Sequence, residues 1–549
     1  MVMSAKDVSL QVSGLRSTWA ARERQMKEWY QLLRLFNNLR QDNMESVISP
    51  DPRTGFNMAT WLLNPRTYNF SIAEEGVTDT DIRDARPLQD FAALQLRQSV
   101  RHSRTSLFGD WISQTVKLML ATGWYATMSF ATERGWIFSA WNPASVWPEY
   151  DDIGRTVKVA RGYNLPANQV AGKIRYAGWN PMKREPVAGS NAWVENLWFL
   201  HDGLPFHAVN INGEQVKPPT VAPFAHIPIY TGPVAGLPDD GTIMGGKDWT
   251  KEVGSSVVAA VIDLQHNYNK ILTYQQQLIR DTANPRWVEK VVDRNVLTQE
   301  NLYKRGAIFS IQPGEDVLPL PTPGMPLELR THLFDLRTQL QRGFFPDASF
   351  GAGGGVVSAF AAASTTAATQ QTLNPFHMGL QYLVTDIAVN NFRQMRNFGL
   401  TVDGAAIPPV EDILEYVYEV EIPGDFMNRV QSARVVNPEF TLSSVTLIKK
   451  QFPEIGSAQQ EFSRIQSEQA IRDPRFQALM FISEMERAAA EAEEIGDTVM
   501  AQRFMALANS AERTMLAEAG VQDQTLTGNA PGSGLPPELQ GLTRQVEGV

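Results

Sequence analysis

Residues 348–385 read ASFGAGGGVVSAFAAASTTAATQQTLNPFHMGLQYLVT, 38 positions without one Asp, Glu, Lys or Arg. In a chain that is 20% charged, roughly eight charges belong in a stretch of that length. Such a run marks a buried helix, a membrane element, or a surface that must not hold something charged. Ser364, Thr365, Thr366, Thr369, Gln370, Gln371, Asn374 and Pro375 interrupt it. No window of the chain reaches the about 18–20 uninterrupted apolar residues of a membrane span, so none is expected.

Working outward, a helix is expected over Pro326–Phe345, stopped by Pro346. Before it lies a Pro/Gly-punctuated insertion (283–324), and before that a helix of about 35 residues (248–282), roughly 50 Å long at about 1.5 Å per residue. Its mixed surface, Val257, Val258, Ile262 and Leu264 against Gln265, Asn267, Asn269 and Gln275–Gln277, suits packing between subunits. The insertion reads as a strand (Trp287–Val291), a helix (Asn295–Tyr303) and a strand (Ala307–Ile311). Across 286–305, Arg286, Lys290, Arg294, Lys304 and Arg305 oppose Glu289, Asp293 and Glu300. After the charge-free run a strong helix is expected over Thr372–Phe398, with Phe376, Leu380, Leu383, Ile387 and Phe392 on its apolar stripe.

Toward the N-terminus, residues 15–41 read as an amphipathic helix. A long helix over Pro87–Thr122 stops at Gly123. Trp124–Thr132 and Trp136–Trp141 form a hairpin, Tyr150–Arg155 a turn, and residues 190–232 short strands with turns such as Asn212-Gly213. Toward the C-terminus, Tyr416–Ile422 reads as a strand, the chain is helical from Asn437, and Asp473-Pro474 is a helix start. The fold class is therefore mainly α with smaller mixed α+β parts.

Composition excludes several chemistries. The chain has 549 residues, no Cys and a formal charge of −10. That removes thiol nucleophiles and Cys-ligated metals, and it disfavours wrapping of nucleic acid. Gly351-Ala-Gly-Gly-Gly is followed by Val356-Val357-Ser358, not the Gly-Lys-Ser/Thr of a phosphate loop. The seven His residues show no His-Glu-x-x-His spacing. His201 and His207 could make one metal-ligand pair, and Asp151/Asp152 a divalent-ion site, but cross-strand histidines and a turn explain them more simply. No catalytic residue, cofactor or resident metal is expected.

This element order resembles the portal, or head-to-tail connector, proteins of tailed double-stranded DNA bacteriophages. The resemblance covers roughly residues 15–520 and rests on the conjunction of Phe344-Phe345-Pro346-Asp347, the flanking helices, and the aromatic hairpin followed by Asn142-Pro143 to Asp151. It implies a wing (1–247), a first stem helix (248–282), a clip (283–324), a second stem helix (325–346), a channel loop (347–371), a long wing helix and strand (372–436), a helical crown (437–520) and a mobile tail (521–549).

By resemblance the chain would form a ring of about twelve copies at one capsid vertex of a virion assembled in the host cytoplasm. It would pass double-stranded DNA without sequence specificity, and would meet terminase, a tail adaptor, and major capsid and scaffolding proteins. Phe350, Gly351, Gly353, Gly354, Gly355, Ser358, Ser364, Thr365 and Thr366 become channel-lining candidates. Arg286, Lys290, Arg294, Lys304 and Arg305 become clip docking candidates. The alternatives are a non-channel oligomeric virion scaffold or adaptor, and a metal-dependent hydrolase built on His201 and His207.

Overall fold

The computed structural model describes residues 3–36, 46–65, 68–72, 79–104, 109–133, 135–187, 189–238, 242–243, 249–283, 287–290, 313, 316–319, 326–343, 359–402, 404–409, 414–418, 445, 448, 458–472 and 474–518. The chain is mixed α+β, 57% helical and 22% strand. It divides into two compact units, Met1–Gly456 and Ser457–Val549.

The first unit opens with α1 (Ala5–Thr18) and α2 (Ala20–Leu33) where one helix over 15–41 was expected. Ser4 and Asp7 form a reciprocal capping box that starts α1. Trp19 separates the helices because its indole is drawn into the core, donating to the Pro148 carbonyl at 2.7 Å and meeting Trp124 edge-on at 5.2 Å. Next come α3 (Asp51–Leu63), β1 (Asn69–Ile72), α4 (Asp79–Ser103) and α5 (Trp111–Thr122). The single helix expected over 87–122 is thus two. Gly109 takes φ +83°, and Asp110 caps α5 by accepting from the Ser113 amide at 2.8 Å.

Gly123 ends α5 in the left-handed conformation, as its position predicted. The aromatic hairpin follows as β2 (Trp124–Thr132) and β3 (Gly135–Ala140). After a 3-10 turn at Pro143–Ser145, a five-stranded antiparallel meander forms from β4 (Val146–Tyr150), β5 (Thr156–Pro166), β6 (Asn191–His201), β7 (Leu204–Ile211) and β8 (Glu214–Val221). Helix α6 (Ala167–Ala177) lies between β5 and β6 in sequence. Asp202-Gly203 and Asn212-Gly213 turn the chain with both φ values positive, the geometry that two-residue hairpin loops require. β9 (Ile229–Pro233) joins the other edge of β2.

The helix expected over 248–282 is shorter than expected. A single turn, α7 (Trp249–Glu252), precedes an irregular crossing, and α8 begins only at Ile262 and ends at Ala283. Tertiary bonding overrides helical periodicity across 254–258: the Ser255 amide donates to Val234 and the Val257 amide to Leu120. The 22 residues of α8 span about 33 Å. Part of its polar side is used within the chain, while Asn267 and Gln276 are exposed. Gln265, Asn269 and Thr273 are buried, and Asn269 and Thr273 accept the Ser49 and Val47 amides at 3.0 and 3.1 Å.

β10 (Trp287–Lys290) pairs antiparallel with β11 (Asp316–Pro319). The first strand of the insertion is where it was expected, but its partner is 316–319; the helix and strand expected at 295–311 lie outside the described residues. Helix α9 (Leu327–Gly343) packs against α8, burying Leu336 and Leu340. Helix α10 (Ala359–Asn397) crosses the unit, β12 (Thr401–Val402) and β13 (Ala405–Ala406) form a small ladder, and β14 (Leu414–Val417) pairs with β1. That strand was expected at 416–422.

The second unit contains α11 (Ala458–Arg472), α12 (Pro474–Glu494) and α13 (Thr498–Glu518). α12 and α13 form a hairpin closed on Ile482, Ala489, Ala501 and Ala508. The expected tail, 521–549, lies outside the described residues.

Candidate functional site

Residues 359–385 of the charge-free run are helical. Residues 359–371, expected as part of a loop, are the first turns of α10, a 39-residue helix about 58 Å long. Ala359, Ala361, Ala362, Ala363, Ala367 and Ala368 supply the reason, since alanine loses least on entering a helix. Ser364, Thr365 and Thr366 therefore sit on helical backbone, whereas Phe350, Gly351, Gly353, Gly354, Gly355 and Ser358 lie outside the described residues. Pro375 is exposed inside the helix, where it withholds the donor that would meet the Gln371 carbonyl.

From Leu373 onward α10 is core. Leu373, Phe376, Leu380 and Leu383, with Ile387 and Phe392 beyond the run, are buried, so the last third of the charge-free run is ordinary packing. Gln370, Gln371, Thr372 and Asn374 face solvent, neutral and polar.

Two buried amides fix this helix to the β2 strand. β9 covers β2 only as far as Met128, which leaves the edge open at Ala131. Gln394 closes it: its Oε1 accepts the Ala131 amide at 3.0 Å, and its Nε2 donates to the Ala131 carbonyl at 3.3 Å. One side-chain amide thereby imitates the missing strand. Asn391, three residues earlier, donates to Ser129 Oγ at 3.1 Å. Sequence inspection passed over both residues, because an amide on a helix carries no mark of the strand it will meet.

Of the clip candidates, Lys290 is exposed at the end of β10, opposite Asp316 across the ladder. Arg286, Arg294, Lys304 and Arg305 lie outside the described residues.

The alternative chemistry loses its geometry. Trp198 pairs with His207 and His201 with Leu204, so the pleat sends the two histidines to opposite faces of the sheet. Both ring nitrogens of His207 are also engaged, with Asn196 Oδ1 at 3.2 Å and Lys217 Nζ at 2.9 Å. Asp151 accepts from the Ile153 and Arg155 amides within its own turn. Among the described residues no group of three or more His, Asp or Glu side chains is gathered as for a metal ion.

Burial sets the titration of several other groups. Arg22 is enclosed between the Trp19 and Trp124 rings, 4.3 and 4.4 Å from their centroids, and donates to the Val146 carbonyl. Its desolvation pushes its pKa down to about 9. His226, bonded to the Tyr230 hydroxyl at 3.0 Å, is pushed down to about 4, by burial first and by Arg393 second. Among the described residues no helix is long and apolar enough to cross a membrane. The chain matches no protein-family model and no curated protein.

Proposed function

We propose that this chain is a portal subunit of a tailed double-stranded DNA bacteriophage. Copies form a ring at one capsid vertex through which DNA is packaged and ejected. The observation that carries this reading is the order of elements around the charge-free run. Helix α8, the β10/β11 ladder and α9 follow one another in the chain, and the neutral segment precedes the long α10. This order resembles the stem, clip, stem, channel segment and wing helix of portal proteins.

The physics of such a channel favours this composition. Each Lys or Arg on a phosphate adds affinity and salt dependence, so a conduit that must release DNA avoids them. Ala, Gly, Ser and Thr offer small neutral contacts, and a net −10 per copy repels the backbone. On this reading 347–371 line the channel, about twelve copies assemble, and the clip end meets terminase and later a tail adaptor. The outer parts of the ring contact major capsid and scaffolding proteins. The chain acts without a catalytic centre or cofactor of its own.

Native mass spectrometry with negative-stain imaging tests the proposal. A ring of about twelve 61.2-kDa copies, near 730 kDa, with a central hole is expected. A monomer under assembly conditions overturns it, and a closed oligomer without a hole favours the scaffold reading instead.

A further inference from the structure

The five-stranded meander has two faces, and α1 occupies one of them. Ser9 Oγ donates to Glu195, Asn210 Nδ2 donates to the Ala5 carbonyl, and Arg16 lies over Trp193. The pleat turns Val194, Asn196 and Trp198 to the opposite face. There two apolar patches form. Val194, Val209 and Ile211 pack beneath Val170 of α6, while Val159 and Trp198 pack with Ala222 and Ile227.

Between those patches runs a polar row. Arg161 on β5 is in register with Asn196 on β6, Asn196 with Val209 on β7, and Val209 with Lys217 on β8. His207, stacked on Trp198 at 3.9 Å, bridges Asn196 and the Lys217 ammonium. The Arg161 guanidinium is held over Trp141 and Tyr163, 4.0 and 4.5 Å from their centroids, and among the described residues its buried Nε has no hydrogen-bond partner.

Both cations are half-buried, and among the described residues neither has a carboxylate partner. The acid that register brings to this face is Glu214, opposite Ile211, and its oxygens already accept the Lys183 and Arg184 amides. Partly desolvated charges without a counter-ion are costly to a fold unless something supplies the anion. Burial depresses Arg161 to about 10 and lowers Lys217 as well, in keeping with that cost. The aromatic rings also fix the guanidinium plane, which prepares its fork for a carboxylate.

We infer that this sheet face is a docking site for an acidic segment of a partner protein, with Arg161 and Lys217 receiving two carboxylates. Spacing and charge select the partner. The two Cα atoms stand three strand steps apart, about 14 Å at about 4.8 Å per step, so meeting both cations takes two acids set a few residues apart on one chain. A nucleic acid fits poorly: two cations neutralise few phosphates, and a net −10 repels the rest.

The test uses the full chain and a fluorescein-labelled decapeptide carrying two Glu residues four positions apart, followed by anisotropy. Saturable binding is expected, weakening as salt rises. Arg161→Gln and Lys217→Gln should each lower affinity about tenfold or more, and Lys217→Arg should stay within about threefold. Thermal melting confirms that the variants fold; if Arg161→Gln does not, the Lys217 pair decides alone. No binding, equal binding by the Gln variants, or equally tight binding of duplex DNA or inorganic phosphate at the same residues overturns the inference. None of these outcomes depends on ring formation, so the portal reading stands or falls separately.

Discussion

Replacing Gln394 with Leu tests how α10 is held against β2. The substitution keeps the side-chain volume close and removes both bonds to Ala131, at 3.0 and 3.3 Å. Gln394 is 2% exposed, so water cannot readily replace them. Each orphaned backbone group costs about 1–3 kcal/mol. The longer of the two bonds is the weaker, and the added apolar burial of Leu returns about 1 kcal/mol. A net loss of about 2–3 kcal/mol is expected, concentrated where α10 meets β2. At about 1.4 kcal/mol per decade this lowers hydrogen-exchange protection of the Ala131 amide about 30- to 150-fold. Amides of the second unit, in α12 and α13, should be unchanged. If Ala131 protection in the folded variant stays within about threefold of wild type, the strand-imitating amide is not what anchors the helix.

Lowering pH should weaken the first unit through His226, whose pKa of about 4 lies below the ordinary 6.5. The unfolded chain takes up a proton between those values and the folded chain does not, so stability is full above pH 6.5 and falls toward pH 4. The loss is about 2 kcal/mol after discounting for partial exposure, and His226→Gln should flatten that part of a melting-temperature profile. Gly123→Ala should cost about 3 kcal/mol or more, since φ is +68° and the added Cβ would meet the Ser255 backbone; a fall in melting temperature reads it. Joint Ala361→Lys and Ala363→Lys should leave the ring intact while reducing packaged DNA and infectivity through added phosphate contacts. Unchanged packaging would remove the reason offered for the neutral segment.

Local rules made much of the first unit legible. The hairpin at 124–140, the stop at Gly123, the Asn212-Gly213 turn and the start at Pro474 each depend on a few adjacent residues. Those residues carry the same preference in any fold. Errors arose where a distant partner outweighed that preference, or where glycines drew the reading away from it. Residues 254–258 look continuous with α8 but spend their amides on Val234 and Leu120. The first turns of α10 look like a glycine-led loop, yet their alanines favour helix.

The sequence by itself determined the charge-free composition of 348–385, the absence of thiol chemistry and the order of elements, because these are properties of the chain. Only the tertiary structure decided which neutral residues are core, that His201 and His207 face apart, and that Gln394 closes a sheet edge. It alone aligned Arg161 with Lys217, 56 positions later in the chain. Strand register and burial join residues far apart in sequence, and no local pattern encodes those pairings.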